Sequence, residues 1–162
     1  KQAHADPELR PAIAAAEAKA EETGEPAAAI QLPDGTVVTG KTSDLMGATS
    51  AALLDALKML AGIDDAVHLI TREAIEPIQA LKTGHLGSRN PRLHSDEVLI
   101  ALAISSATVP LATRALNNLD KLRDCEAHSS VILTAADSGT YAKLGLRLTC
   151  TPRYQGSQLY HK

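Results

Sequence analysis

Polar side chains crowd one stretch of the sequence, residues 84–96, which leads directly into its most apolar helical pattern. Ser95 is typical of a helix N-cap, and acidic residues follow it in the first turn. Backbone N–H groups at a helix N-terminus can receive an anion. The stretch therefore predicts a site for a small anionic ligand, formed by Arg89, Asn90, Arg92, His94, Ser95 and Asp96. The alternative is a solvated, capped loop, because loops are polar by default.

One histidine of this stretch is also suited to proton transfer. His94 precedes Asp96 and Glu97, and a carboxylate beside an imidazole can orient it as a general acid or base. His94 is therefore the candidate catalytic residue, and Arg92 would hold an anionic group of the substrate. The sequence offers this pair no nucleophile, and it leaves open whether the protein is an enzyme and which cofactor it would use.

The strongest catalytic and metal-binding motifs are absent from the sequence. It contains no His-Glu-x-x-His, no Cys-x-x-Cys, no Gly-x-Ser-x-Gly and no complete P-loop. Cys125 and His128 are the nearest approach to a metal-binding pair. A small buried thiol and a hydrogen-bonded imidazole are the simpler interpretation, so no metal is predicted. The sequence does not show whether Cys150 lies near them.

The elements that would position these residues alternate between strands and helices. A β-hairpin is predicted over residues 27–41 with its turn at 33–35, and a helix follows from Ser43 or Asp44 to Ala61, ended by Gly62. The remaining pattern predicts helices over 72–82, 95–107, 109–122 and 135–144, and strands over 67–71, 126–134 and 146–151.

This order of elements predicts an α/β fold, a three-layer α-β-α sandwich with a mixed sheet. The helix over 95–107 is apolar nearly all round and is expected to be buried. An Ala-rich helix, expected to start at Asp6-Pro7 and end at Gly24, precedes the sheet. We therefore divide the chain into residues 1–25, a helix or connector to a missing domain, and residues 26–162, the α/β domain.

Composition excludes several classes of function. Without Phe or Trp, and with only three Tyr, the chain lacks the stacking platforms of single-stranded nucleic-acid binders. Its net charge of −3 disfavours nucleic acid and anionic membranes as partners. No apolar run is long enough to span a membrane, and two cysteines fit the reducing cytoplasm. Because the sequence starts with Lys1 rather than Met, we expect a piece of a longer protein.

Several long motifs resemble the C-terminal part of an uncharacterised bacterial family of conserved proteins. They are Asn90-Pro91-Arg92-Leu93-His94-Ser95-Asp96-Glu97-Val98-Leu99-Ile100-Ala101-Leu102, Cys125-Glu126-Ala127-His128-Ser129-Ser130-Val131-Ile132-Leu133, Lys143-Leu144-Gly145 with Leu148-Thr149-Cys150, and Leu159-Tyr160-His161-Lys162. The resemblance implies a C-terminal domain whose own missing N-terminal domain is its partner. Some family members carry an ATP-dependent zinc protease label, which nothing in this stretch supports. The family has no established activity.

Residues 27–62 are similar to the opening of the cytidine-deaminase fold, which implies a cytidine-deaminase-like topology. The deaminase motif would fall on residues 47–49, where Gly47 replaces the zinc ligand and Thr49 replaces the proton-shuttling Glu. The second motif, Pro-Cys-x-x-Cys, has no counterpart. A zinc deaminase needs three ligands and that Glu, so this chain is expected not to deaminate.

Three hypotheses follow. The leading one is a non-catalytic cytoplasmic domain whose residues 84–96 face a partner domain or a small anionic ligand. The second is an enzyme whose active site is shared with the missing N-terminal domain, with Arg92 and His94 in the roles given above. The third is a homo-oligomerisation module that uses the helix over 95–107 and the first helix.

Overall fold

The sheet is built outward from a β-hairpin. In the computed structural model, which describes residues 10–153, β1 (Ala27–Gln31) and β2 (Val37–Lys41) pair antiparallel. The hairpin turn is closed by the Leu32 N–H, which donates to the Thr36 carbonyl at 2.7 Å, while Gly35 takes a left-handed φ of 92°. The predicted hairpin and its turn are confirmed.

Two further strands, β3 (Glu126–Ser129) and β4 (Arg147–Cys150), complete a sheet of order β2-β1-β3-β4. β1 runs antiparallel to both of its neighbours, whereas β3 and β4 are parallel. The predicted mixed sheet is therefore confirmed. β3 is shorter than predicted because the Ser129 hydroxyl turns the chain after it, donating to the Val131 carbonyl at 2.6 Å.

The strand predicted over residues 67–71 is wrong. This segment is irregular: Val67 N–H donates to the Asp64 carbonyl, and Leu69 is buried without a strand partner. A short apolar run indicates burial, but it does not distinguish a strand from an irregular segment that inserts one side chain into the core.

Helices cover both faces of the sheet and form three layers. Along the described chain they are α1 (Pro11–Thr23), α2 (Ala48–Ala61), α3 (Arg72–Gly84), α4 (Ser95–Ser105), α5 (Pro110–Leu116), a 3-10 turn (Leu119–Leu122) and α6 (Ala135–Lys143). On one face, Ala12 and Ala16 of α1 pack against Ala29 of β1. On the other, Ile30 joins the main core with residues such as Leu53.

These layers confirm the α/β class and the three-layer sandwich, while the cytidine-deaminase-like topology stays a prediction. So does the division of the chain at residue 25. The predicted start of the first helix at Asp6-Pro7 lies outside the described residues. In the described part, α1 begins at Pro11 and ends before Gly24, whose φ is 75°.

Some predicted helix boundaries are wrong for identifiable reasons. α2 begins at Ala48 because Ser43 instead organises a preceding turn, in which its hydroxyl accepts from the Leu45 N–H at 3.3 Å. The helix predicted over 109–122 ends at Leu116 and resumes as the 3-10 turn. Its N-cap is Val109 and its first residue is Pro110, where a missing N–H costs nothing.

The α4 helix is not buried all round, contrary to the expectation from its composition. Val98 and Leu102 are fully buried, but Ile100 and Ile104 are each 54% exposed. Neighbouring helices α3, α2, α5 and α6 contact α4, and they leave this face open.

A search of the described residues finds no helix with the length and apolar character needed to cross a membrane.

Candidate functional site

A cavity of about 420 Å³ lies beside the carboxyl end of β3, where the N-termini of α2, α4 and α6 come together. Its polar walls come from these helix starts and from the loop before α4. Its apolar wall comes from the segment between β3 and α6. The lining residues are Pro26, Thr42, Gly47, Ala48, Thr49, Asn90, Arg92, Leu93, His94, Ser129, Val131, Ile132, Leu133, Thr134 and Asp137.

The N-terminus of α2 is open towards this cavity. Gly47 is the N-cap, and its own N–H donates to the Leu93 carbonyl at 3.2 Å. The next two N–H groups, those of Ala48 and Thr49, have no protein acceptor within residues 10–153. The first N–H groups of a helix have no partner inside the helix and carry its partial positive charge. This end of α2 therefore presents hydrogen-bond donors to the cavity.

The N-terminus of α4 is occupied by two carboxylates of the protein itself. Glu97 accepts from the His94 N–H at 2.7 Å, and Asp137 accepts from the Ser95 N–H at 2.8 Å and from the Ser95 hydroxyl. His94 is therefore the N-cap, and the prediction of Ser95 in that position is wrong by one residue. Ser95 is fully buried and serves to hold Asp137 at the edge of the cavity.

Asp137 links the cavity to the core of the protein. It is 5% exposed, and its N–H donates to the hydroxyl of Thr134, the N-cap of α6. One turn later, the Tyr141 hydroxyl donates to the Thr49 carbonyl at 2.6 Å. Burial, and then the negative charge of Asp137, raises the pKa of Tyr141 well above its ordinary value. Tyr141 therefore stays a neutral donor and ties the start of α2 to α6.

Arg92 is held at the mouth of the cavity by three contacts with the protein. Its Nε donates to the Ser43 carbonyl at 2.6 Å, and its N–H donates to Oδ1 of Asn90 at 2.8 Å. Its carbonyl accepts from the ammonium of Lys82. An arginine has five N–H donors, so the contact through Nε leaves the terminal guanidinium nitrogens for a ligand.

Lys82 is the buried charge that fixes this arrangement. It is 4% exposed, and its Nζ lies 2.7 Å from Oε1 of Glu97. Burial alone would raise the pKa of Glu97, but the hydrogen bond from the His94 N–H and the charge of Lys82 outweigh burial and lower it. Glu97 therefore stays ionised near neutral pH, and its contact with Lys82 connects α3 to the start of α4.

The six residues predicted to bind a ligand are only partly brought together. Asn90, Arg92 and His94 line the cavity, and Ser95 lies beneath it. Arg89 is exposed and does not line the cavity, and Asp96 lines a separate groove between α4 and α6. Asp137, Tyr141 and Lys82 were not identified from the sequence, because no local pattern relates them to partners that lie between 10 and 92 positions away.

The weak metal candidates Cys125 and His128 lie in different surroundings. Cys125 belongs to the main core, where its thiol donates to the Lys121 carbonyl. His128 pairs across the sheet with Ala29, on the α1 side, and its ring nitrogens bond to the hydroxyls of Thr149 and Thr151 at 2.6 and 2.9 Å. Neither joins a cluster of metal-ligating groups with the exposed Cys150 within residues 10–153.

His94, Asp96 and Glu97 do place their ligand atoms within 4.8 Å of one another. The ammonium of Lys82 already pairs with Glu97, however, and the N-terminus of α4 disfavours a cation. This cluster is therefore better described as a capped helix start than as a metal centre.

Comparison with known proteins gives a consistent result. The profile of a family described as "Domain of unknown function DUF1846, C-terminal" matches residues 8–160. Proteins named UPF0371 protein from Corynebacterium aurimucosum and Streptococcus thermophilus are 55% and 54% identical to the chain over 154 and 156 residues. These matches cover 94% and 96% of this chain but 31% and 32% of the relatives. The chain thus spans about a third of the length of the curated relatives it matches.

Proposed function

Because the chain belongs to the family of DUF1846 C-terminal domains, and its relatives are about three times longer, we propose that it is the C-terminal, ligand-binding domain of a longer protein. Its ligand would be a small molecule with one anionic group, a phosphate or a carboxylate. The observation that carries this proposal is the open N-terminus of α2, which lines the same cavity as the guanidinium of Arg92.

The anionic group would bind between these two features. The N–H groups of Ala48 and Thr49 supply donors and the positive end of a helix dipole, and Arg92 supplies a full charge and bidentate geometry. The side-chain amide of Asn90 adds a further donor at the same wall. Gly47 adds no side chain to this wall, and the space where its Cβ would lie is open, with no atom within 4 Å.

The remaining walls define the rest of the ligand. The carboxylate of Asp137 would repel a second anionic group and would favour a hydroxyl or an amine. Val131, Ile132 and Leu133 form an apolar wall suited to a carbon skeleton. A volume of about 420 Å³ falls in the range of small-molecule sites. The proposed class is therefore a phosphorylated or carboxylated hydroxy or amino compound of metabolite size.

Deamination is not part of this proposal. Gly47 and Thr49, on which the resemblance predicts the deaminase zinc ligand and Glu to fall, both line the cavity. Neither a glycine nor a threonine in these positions can supply the metal-bound hydroxide and the proton transfer that the reaction needs.

Titration with inorganic phosphate, followed by amide NMR, tests the anion site. We expect shifts at Ala48 and Thr49, and we expect Arg92→Ala to weaken binding by about 10- to 100-fold, because it removes the charged hydrogen bonds of the guanidinium. Arg89→Ala is the matched control, because it removes the same charge from the same loop outside the cavity. Equal weakening by both variants, or shifts that spare the start of α2, would reject the site.

A second candidate function is an active site shared with the rest of the longer protein. The observation that favours it is the position of His94, whose side chain is 41% exposed at the cavity and whose Nδ1 lies 3.5 Å from Glu97. A general acid or base needs such access and such an orienting carboxylate. In the full-length protein, His94→Ala would abolish turnover of the bound ligand and leave phosphate binding intact. Unchanged turnover would leave only the binding role.

A further inference from the structure

A groove separate from the cavity runs between α4 and α6. Its volume is about 390 Å³, and its walls are Leu99 and Ile100 on α4 and Ala135, Ala136 and Gly139 on α6. Opposite charges, those of Asp96 and Lys143, border it. It is therefore an apolar groove with a charged rim, the form that receives an amphipathic helix.

The α4 side of the groove is unusually apolar for a surface. Ile100 lines the groove and is 54% exposed. Ile104, four residues later on the same side of the helix but outside the groove lining, is equally exposed. Two adjacent isoleucines more than half exposed on one helix face indicate an interaction surface rather than an ordinary solvated face.

The α6 side of the groove has a floor of small residues. Gly139 lies in the interior of α6, where glycine weakens a helix, and a Cβ at this position would meet no atom within 4 Å. Packing within the described residues therefore does not require a glycine here. A small residue at this position instead allows the backbone of another element to approach α6 closely.

The occupant is best identified from the length of the relatives and the size of the groove. The matched relatives extend well beyond this domain, which covers 31–32% of them. Most of such a protein is therefore covalently linked to this domain and stays close to the groove. Tethering raises the effective concentration of a segment and makes a small contact sufficient. The nine groove residues are few compared with the roughly 20–30 residues a side of a stable dimer.

We propose that the groove between α4 and α6 is the docking surface for an amphipathic helix from the remaining part of the same longer protein. Asp96 and Ala135 line the groove and lie in the first turns of α4 and α6, whose N-termini border the cavity. The docked helix would therefore also border the cavity mouth. This inference does not depend on the identity of the ligand, or on whether one binds.

The experiment is lysine acylation of the full-length protein, with Lys143 as the reporter in the groove and Lys121, an exposed lysine of the 3-10 turn, as the internal reference. We expect Lys143 to react slowly in the wild type and several-fold faster in Ile100→Lys, which places a charge in the groove. Met59→Lys is the matched control, since Met59 is 53% exposed on α2 and lies outside the groove.

A second variant tests the groove without removing any apolar surface. Gly139→Leu fills the groove from its floor, and its Cβ would meet no atom within 4 Å. Unfolding curves check that the domain keeps its fold. We expect Gly139→Leu to release Lys143 as Ile100→Lys does. Equal Lys143 rates in the wild type and both variants would overturn the proposal.

Sedimentation at the labelling concentration separates the two possible occupants. Slow Lys143 labelling in a monomer supports docking within one chain. Labelling that speeds up on dilution, together with a dimer in the ultracentrifuge, would overturn the proposal in favour of a second copy. Phosphate binding does not enter either measurement, so failure here leaves the cavity proposal intact, and the reverse also holds.

Discussion

Gly40 is the residue where β2 and α2 come closest. A Cβ at this position would lie 2.3 Å from the Ala52 nitrogen and 2.7 Å from the Ala51 carbonyl carbon, both atoms of the α2 backbone. Because backbone atoms cannot rotate away as a side chain can, Gly40→Ala should push α2 off the sheet and destabilise the protein by about 1–3 kcal/mol or more. Urea unfolding measures this loss.

The control for this prediction is Gly139→Ala, since its Cβ would meet nothing within 4 Å. Replacing a glycine inside a helix by alanine should stabilise the protein by about 0.5–1 kcal/mol. Similar effects from the two substitutions would mean that the close approach at Gly40 does not govern the packing of α2.

Asp55 and Asp65 form a pair of like charges beside α2. Burial, followed by the negative charge of Asp65, raises the pKa of Asp55 to about 6. A carboxyl whose pKa is raised on folding costs nothing while protonated, below about pH 4, and destabilises the fold as the pH rises through about 6. Asp55→Asn removes that cost. It should match the wild type at about pH 4 and be more stable above pH 6 by on the order of 1 kcal/mol, after solvent screening.

Unfolding curves measured from acid to neutral pH test this prediction. The exposed Asp44, changed to Asn, provides a matched loss of charge outside the pair. A constant difference between Asp55→Asn and the wild type across the range would contradict the proposed titration.

At the residue scale, the sequence predicted the polar residues of the loop before α4, but not the carboxylate from α6 that contacts this helix start. Asn90, Arg92 and His94 could be predicted because they share one short loop with a helix start. Asp137 could not, because it reaches Ser95 from 42 positions away. The contact between Ser95 and Asp137 is a tertiary contact, and a local sequence pattern does not predict it.

At the scale of secondary-structure elements, Lys82 on α3 connects that helix to the start of α4. Its ammonium contacts the Arg92 carbonyl and the carboxylate of Glu97. Lys82→Met would leave both acceptors without this donor, and the Glu97 side chain is only 23% exposed. We expect a loss of about 2–3 kcal/mol in stability and weaker phosphate binding, because Arg92 loses one of its supports.

Thermal unfolding and phosphate titration of Lys82→Met give the two readouts. Lys121→Met removes an equal charge from an exposed position and serves as the control. If Lys82→Met lost stability but bound phosphate as tightly as the wild type, Lys82 would support the fold without positioning Arg92.

Short sequence motifs correctly predicted the turn and the helix ends that depend only on neighbouring residues. The hairpin followed from Pro33-Asp34-Gly35, and the ends of α1 and α2 from Gly24 and Gly62, which both take left-handed φ values. The segment over 67–71 and the outer face of α4 were misassigned. Both have apolar composition, and composition does not show how many neighbours an element will have.

At the scale of the whole molecule, the domain is one layered unit built largely from small side chains. The Ala-rich α1 contacts the sheet through Ala12 and Ala16, both at nearly zero exposure. Because α1 and β1 both contribute alanines to this contact, the helix lies close to the sheet. Weak amphipathicity in the sequence does not predict such close packing. The cytoplasmic location stays a prediction, and so does a role for α1 as a connector.

The scarcity of aromatic residues has a practical consequence for spectroscopy. The protein has no Trp and no Phe, and Tyr141 is a buried phenol bonded to the Thr49 carbonyl, directly behind the open end of α2. Replacing Tyr154 and Tyr160 by Phe would leave a single chromophore, free of the indole emission that hides tyrosine fluorescence in most proteins. Its raised pKa keeps the phenol neutral into alkaline solution. The protein thus carries an intrinsic optical reporter directly behind Thr49, a residue of the cavity wall.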